Sequence, residues 1–149
     1  MEFNEIIKAI PIKPYYQDDA VVIYHSDCRL VLPLIPDKSI DLVLTDPPYG
    51  KMWTRGKNGI GIDKKSNEND KTKWDIKPTR FELEEMIRTG KNQIIFGGQY
   101  FTDILPPTNC WLVWDKRGEI PSNNFADCEI AWSNLYKPSR VYTQKWSGL

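Results

Sequence analysis

Residues 41–50 read DLVLTDPPYG. An apolar, β-branched run ends abruptly in an acid, two prolines, an aromatic residue and a glycine. Pro47 and Pro48 fix their own φ angles and push Asp46 and Pro47 towards extended geometry. Neither proline has a backbone N–H, so the tip is rich in acceptors: the Asp46 carboxylate and, close by, the Pro47 carbonyl. Tyr49 adds a flat face with a polar end. A nucleobase with an exocyclic amino group suits two acceptors beside a stacking face. Such a nitrogen is a poor nucleophile because its lone pair is delocalised into the ring. Two hydrogen bonds to its protons would pull it towards tetrahedral geometry and aim the lone pair at an electrophile. That is orientational and electrostatic catalysis, with no covalent intermediate. In isolation the same residues also suit a simple Pro-Gly turn.

The surrounding elements must hold this tip at the end of a sheet. IDLVLT (40–45) is a nearly continuous apolar run, the pattern of a parallel strand covered on both faces. VVIYH (21–25) reads as an earlier strand, followed by a turn or two of helix that Pro33 and Pro36 stop. Thr79 and Glu82 have capping-box spacing, Phe81, Leu83, Met86 and Ile87 give an apolar side, and Gly90 is a natural helix stop. QIIF (93–96) leads into Gly97-Gly98, and CWLVWDK (110–116) is a further strand. DCEIAWS (127–133) alternates, which suits an antiparallel strand near an edge. Strands alternating with helices imply an α/β, doubly wound and mostly parallel sheet. In such sheets ligands bind beyond the carboxyl ends of the strands, where Asp46 to Tyr49 fall.

The TDPPYG element after a hydrophobic strand resembles the catalytic motif of amino-group DNA methyltransferases, which act on adenine N6 or cytosine N4 with S-adenosylmethionine. YHSDCRLVLPLIPDKSIDLVLTDPPYG resembles the opening segment of the subgroup that carries this motif early. IIFGGQYF, CWLVWDK, DCEIAWSN and KWSGL resemble its following segments in order, so the similarity runs over residues 21–149. The resemblance implies that Asp46 and Pro47 accept from the target amino group, that Tyr49 stacks on the base and that Pro48 stiffens the loop. The base must leave the duplex to reach them. It places Asp27, Asp46, Gly97 and Gly98 on the cofactor side, with Asp27 equally suited to a cap or turn. The Asp-led motif leans to adenine N6, with cytosine N4 as the alternative.

This subgroup normally continues with a target-recognition region and a glycine-rich cofactor loop, and neither follows here. The expectation is an incomplete Rossmann-like methyltransferase domain over residues 1–149, a fragment that binds S-adenosylmethionine weakly or not at all and is inactive alone. By the same resemblance, the absent part supplies two central strands lying between the first strand and the DPPY strand. One side of the DPPY strand would then be an unpaired apolar edge, prone to self-association.

Composition bounds the partners. The chain has 149 residues, 20 basic and 20 acidic, so no global field marks a nucleic-acid binder. From Lys51 to Arg80, however, nine basic residues face four acidic ones. Residues 51–78 lack periodicity and read as a long mobile loop. It is either a solvated face or a DNA contact, with Lys57, Lys64, Lys65, Lys71 and Lys73 on phosphates and Trp53 wedging or stacking. Trp111, Trp114, Trp132 and Trp146 read as core, and His25, the single histidine, as a strand-end residue. Cys28, Cys110 and Cys128 form no CxxC pair, so neither a metal site nor a disulfide framework is suggested, and a reducing cytoplasm is the default. Nothing reads as a signal peptide or membrane span. Two competing functions are a non-catalytic DNA-binding or assembly module and an enzyme acting on free or RNA nucleobases.

Overall fold

The computed structural model describes residues 2–50, 75–119 and 126–145. Five strands form one mixed sheet: β3 (Ile40–Thr45), β4 (Gly90–Phe96), β5 (Cys110–Asp115), β6 (Cys128–Ser133) and β7 (Arg140–Thr143), in the order β3-β4-β6-β5-β7. β3 pairs parallel to β4 and β5 parallel to β7, while β6 is antiparallel to both β4 and β5. Four strands therefore share one direction and β6 alone is reversed. β6 is antiparallel as its alternation suggests, but it lies between β4 and β5 and not at an edge. Its Trp132 is buried and donates from Nε1 to the Pro106 carbonyl at 2.8 Å, so both ends of that indole are satisfied inside the sheet.

The first strand departs from expectation in a second way. Among the described residues, β2 (Val22–Ile23) pairs only with β1 (Tyr16–Gln17), in a separate antiparallel hairpin. The reason is local. Asp18 Oδ1 accepts from the N–H groups of Ala20 and Val21 at 2.8 and 2.7 Å, closing a tight Asx-type turn. Tyr15 N–H then reaches the Ile23 carbonyl at 2.8 Å. His25 sits edge-on to the Tyr15 ring, with centroids 6.0 Å apart. A short helix, α1 (Phe3–Ala9), precedes the hairpin, and α2 (Cys28–Val31) with a 3-10 turn (Leu32–Leu34) follows it.

α3 (Arg80–Thr89) forms for the reasons the sequence gives. Glu82 Oε2 accepts from Thr79 N–H at 2.7 Å, completing the capping box. Leu83 is fully buried with Ile95, Phe101, Leu105 and Trp132, and Met86 and Ile87 pack against that cluster. Phe81 does not join it and is exposed. Gly90 is not a left-handed stop: its φ is −87° and it begins β4 without any loop. What it supplies is room. A Cβ there would lie 2.8 Å from Val43 Cγ2 and 2.9 Å from Gln93 Nε2.

The helix end is fastened to the turn that launches β3. Arg88 donates to the carbonyls of Ile35 and Leu32, each at 2.9 Å, and pairs with Glu85 and Asp37. Lys38, at φ 51°, donates to the carbonyls of Ile87 and Gly90 at 2.7 and 2.9 Å. A cation over the last carbonyls of a helix is favourably placed against its dipole.

Among the described residues, no strand pairs with the outer side of β3, and Leu42 and Leu44 are 44% and 61% exposed. No helix among the described residues is long and apolar enough to cross a membrane.

Removing the centre of the core should be felt globally. Leu83→Ala is expected to lower unfolding stability by about 2–5 kcal/mol in urea titration, with the transition remaining cooperative.

Candidate active site

Parallel pairing of β3 with β4 sets Thr45 opposite Ile95. The residues that follow each strand therefore emerge side by side: Asp46 to Tyr49 from one, Gly97 and Gly98 from the other. Asp46 is exposed, Pro47 is buried and Pro48 and Tyr49 are half-buried. The tip is thus anchored by a proline in its middle while its carboxylate faces outward.

Gly97 makes this neighbourhood possible. It has φ 65°, in the left-handed region, and its N–H donates to the Ile130 carbonyl at 2.9 Å. A Cβ at this position would lie 2.0 Å from Tyr49 Cε1, so the tyrosine ring rests directly on the glycine backbone. The short 3-10 turn Gly98–Tyr100 then brings the Tyr100 ring to 4.9 Å from that of Tyr49, tilted by 46°. Phe101 lies 6.3 Å away, at 56°. Gly98 is buried, and a Cβ there would stand 2.3 Å from Trp132 Cβ. The close approaches these two glycines permit are taken by the protein's own side chains.

Tyr49 also points its polar end at the acid of the same motif: its hydroxyl donates to Asp46 Oδ1. Burial above all, and then the Asp46 hydrogen bond and charge, raise the Tyr49 phenol above the ordinary tyrosine range. Protonated at neutral pH as any tyrosine is, it stays a donor to higher pH than an exposed one.

The far side of the motif is tied down as well. Gly50, at φ 67°, donates its N–H to Asp75 Oδ1 at 3.0 Å. Lys77 Nζ lies 5.4 Å from the Phe101 ring centroid and 3.6 Å from Asp103. Asp75, Lys77 and Tyr100 are contributors that sequence reasoning missed. Single polar and aromatic residues outside any motif gave no signal for them.

Asp27 stands apart. It caps α2, accepts from Arg29 N–H at 2.9 Å and forms an ion pair with the Arg29 guanidinium. That guanidinium, and then the Arg29 N–H, hold its carboxyl at about 2. Arg29 in turn reaches to 4.0 Å from Glu82. Asp27 thus joins the first turn of α3 through Arg29, and none of these contacts reaches Asp46 or Tyr49. Trp53, Lys57, Lys64, Lys65, Lys71 and Lys73 lie outside the described residues, as does Trp146. Of the remaining tryptophans, Trp111 packs on the core, and Trp114 donates to the Gln144 carbonyl at 2.8 Å.

Chemically, the arrangement offers an outward carboxylate on a stiff tip, flanked by a seated aromatic ring. It can accept from a donor-bearing flat molecule and hold it against the ring edge or face.

No family model matches the chain. It is similar to Type II methyltransferase M.BamHI of Bacillus amyloliquefaciens, with 29% identity over 148 residues, 98% of this chain and 31% of that protein. It is also similar to Type II methyltransferase M2.LlaDCHI of Lactococcus lactis subsp. cremoris, with 34% identity over 56 residues, 35% of this chain and 21% of that protein. The chain thus spans about a third or less of the length of these relatives.

The seat of Tyr49 has a direct test. Gly97→Ala should destabilise the fold by about 1–3 kcal/mol, from the positive φ and the collision with the ring. It should also displace Tyr49, seen as loss of the ring contacts between Tyr49 and Tyr100 in NMR. An unchanged Tyr49 environment would contradict the packing described.

Proposed function

We propose that this chain carries the base-gripping part of a DNA methyltransferase. The reaction is transfer of a methyl group from S-adenosylmethionine to the exocyclic amino group of a flipped base, with adenine N6 favoured and cytosine N4 the alternative. One observation carries the reading: an exposed Asp46 carboxylate held beside the Tyr49 ring at the carboxyl end of β3. The similarity of almost the whole chain to a Type II methyltransferase supports it.

In this reading Asp46 and the Pro47 carbonyl accept the two amino protons and turn the nitrogen lone pair outward. Tyr49 supplies the stacking ring, and the buried Pro47 keeps the tip from yielding. The contribution is orientation and electrostatics. Lys57, Lys64, Lys65, Lys71 and Lys73 are assigned to the DNA phosphates, and Trp53 to wedging or stacking on the bases.

The cofactor positions do not make a cradle. Asp27 is committed to Arg29, Gly97 is covered by Tyr49 and Gly98 by Trp132. No catalytic step is therefore assigned to the cofactor on these residues, and S-adenosylmethionine enters the proposal only as the methyl source.

Asp46→Ala in the methylating protein should reduce transfer by more than about a hundredfold while leaving cofactor binding nearly intact. Tritium transfer from the labelled cofactor measures it, and retained turnover ends the assignment. Tyr49→Phe should keep more activity than Tyr49→Ala, because stacking needs the ring.

The outer side of β3 leads to a proposal about association. A six-residue strand at the edge of the sheet among the described residues, exposing two leucines, is a template for another strand. The chain is expected to self-associate in light scattering, and Leu42→Lys with Leu44→Lys to shift it towards monomer. A clean wild-type monomer at high concentration would refute this.

A further inference from the structure

One oxygen of the carboxylate that the proposed function needs is already engaged. Tyr49 donates its hydroxyl to Asp46 Oδ1, three residues back along the same motif. The ring that carries this hydroxyl is held by Gly97 beneath it and by Tyr100 at 4.9 Å. Asp46 itself is exposed, and no ion pair to it occurs among the described residues. The carboxylate therefore faces outward with one of its oxygens satisfied from within.

We infer that the Tyr49 hydroxyl is a resting latch on the Asp46 carboxylate, released when an amino group of a nucleobase takes its place as donor. This rests on the reading of Asp46 as the acceptor for that amino group. It assigns the hydroxyl and the ring of Tyr49 different tasks. The ring offers a stacking surface, whereas the hydroxyl competes with the substrate for the same oxygen. The competition is one of like for like. A neutral O–H donor on a carboxylate gives way to a neutral N–H donor on the same carboxylate, and no proton changes owner. The phenol is a donor at neutral pH as any tyrosine is, and burial, reinforced by Asp46, raises it further.

The cost of release falls only on a base that draws on the carboxylate. A base with an amino group must displace the hydroxyl and replaces the lost hydrogen bond with its own. A base without one leaves the Tyr49–Asp46 hydrogen bond in place and meets no such cost. The latch thus weighs on amino-bearing bases alone and keeps the carboxylate oriented when none is bound. Removing the hydroxyl removes the competitor: Asp46 Oδ1 is then hydrated in the free protein, and water yields to the amino group more easily than a tethered phenol does.

The test is an NMR titration of the chain and its Tyr49→Phe variant with two probes, 9-methyladenine and 9-methylpurine, which differ in the amino group alone. Tyr49→Phe keeps the ring and its packing on Gly97, and an unchanged backbone spectrum outside the motif verifies that the fold is intact. The variant should bind 9-methyladenine roughly three- to tenfold more tightly than the wild type, the net worth of one hydrogen bond over water. Its affinity for 9-methylpurine should change less than twofold, on the order of a few tenths of that same interaction. Equal affinity of both proteins for 9-methyladenine, with adenine still preferred over purine, would overturn the latch and leave the base-gripping reading standing. Equal tightening towards both probes would overturn the latch in favour of a merely loosened tip. No preference for adenine over purine in either protein would remove the base-gripping reading, and the latch with it.

Discussion

Tyr49 and Gly97 are 48 residues apart in the chain and meet because β3 and β4 run parallel in one register. Everything at the candidate site follows from that pairing. A strand tip ending in Asp-Pro-Pro-Tyr needs somewhere to rest its aromatic ring, and the neighbouring strand ends in the one residue with no side chain to obstruct it. The left-handed turn at Gly97 presents bare backbone for the ring to rest on, and Pro47, buried in the middle of the tip, holds it down. A slip of one residue in the pairing would set Phe96 or Gly98 against the ring. The first would collide, and the second is already filled by Trp132.

That register is secured at the opposite end of the sheet. Arg88 and Lys38 cross-link the last turn of α3 to the residues just before β3, largely through backbone carbonyls. Neutral acceptors fix geometry without depending on a partner's ionisation. The exposed charge pairs elsewhere, such as Lys91 with Asp41, contribute little by comparison. The positioning of the site therefore begins far from it, with two cations whose sequence neighbourhood carries no motif.

Much of this was legible in the sequence where patterns are local. β3, the capping box at Thr79, the strands around Ile95 and Leu112 and the Pro-rich tip all appear where the local patterns put them, although among the described residues β3 is not covered on both faces as its apolar run suggests, since Leu42 and Leu44 are exposed. Non-local features were not. β6 reads as an edge strand because its faces differ, yet the sheet inserts it between β4 and β5. Residues 21–25 read as part of the main sheet, yet the Asp18 turn gives them a nearer partner. Gly90 and Gly98 show the same limit. A glycine signals that something comes close, but only the fold names Val43 and Gln93 in one case and Trp132 in the other. For Asp27 the local reading prevailed, since Arg29, two residues along, engages the carboxylate first.

The direct passage from α3 into β4 has a mechanical corollary. With no linker at Gly90, helix and strand behave as one rigid lever, whose short end is gripped by the Arg88 carbonyl contacts and whose long end finishes at the ring of Tyr49. Any added residue at that junction would have no slack to absorb it. It would be transmitted along β4 as a shift of about one strand step, some 3.3 Å, enough to move Gly97 out from under the ring.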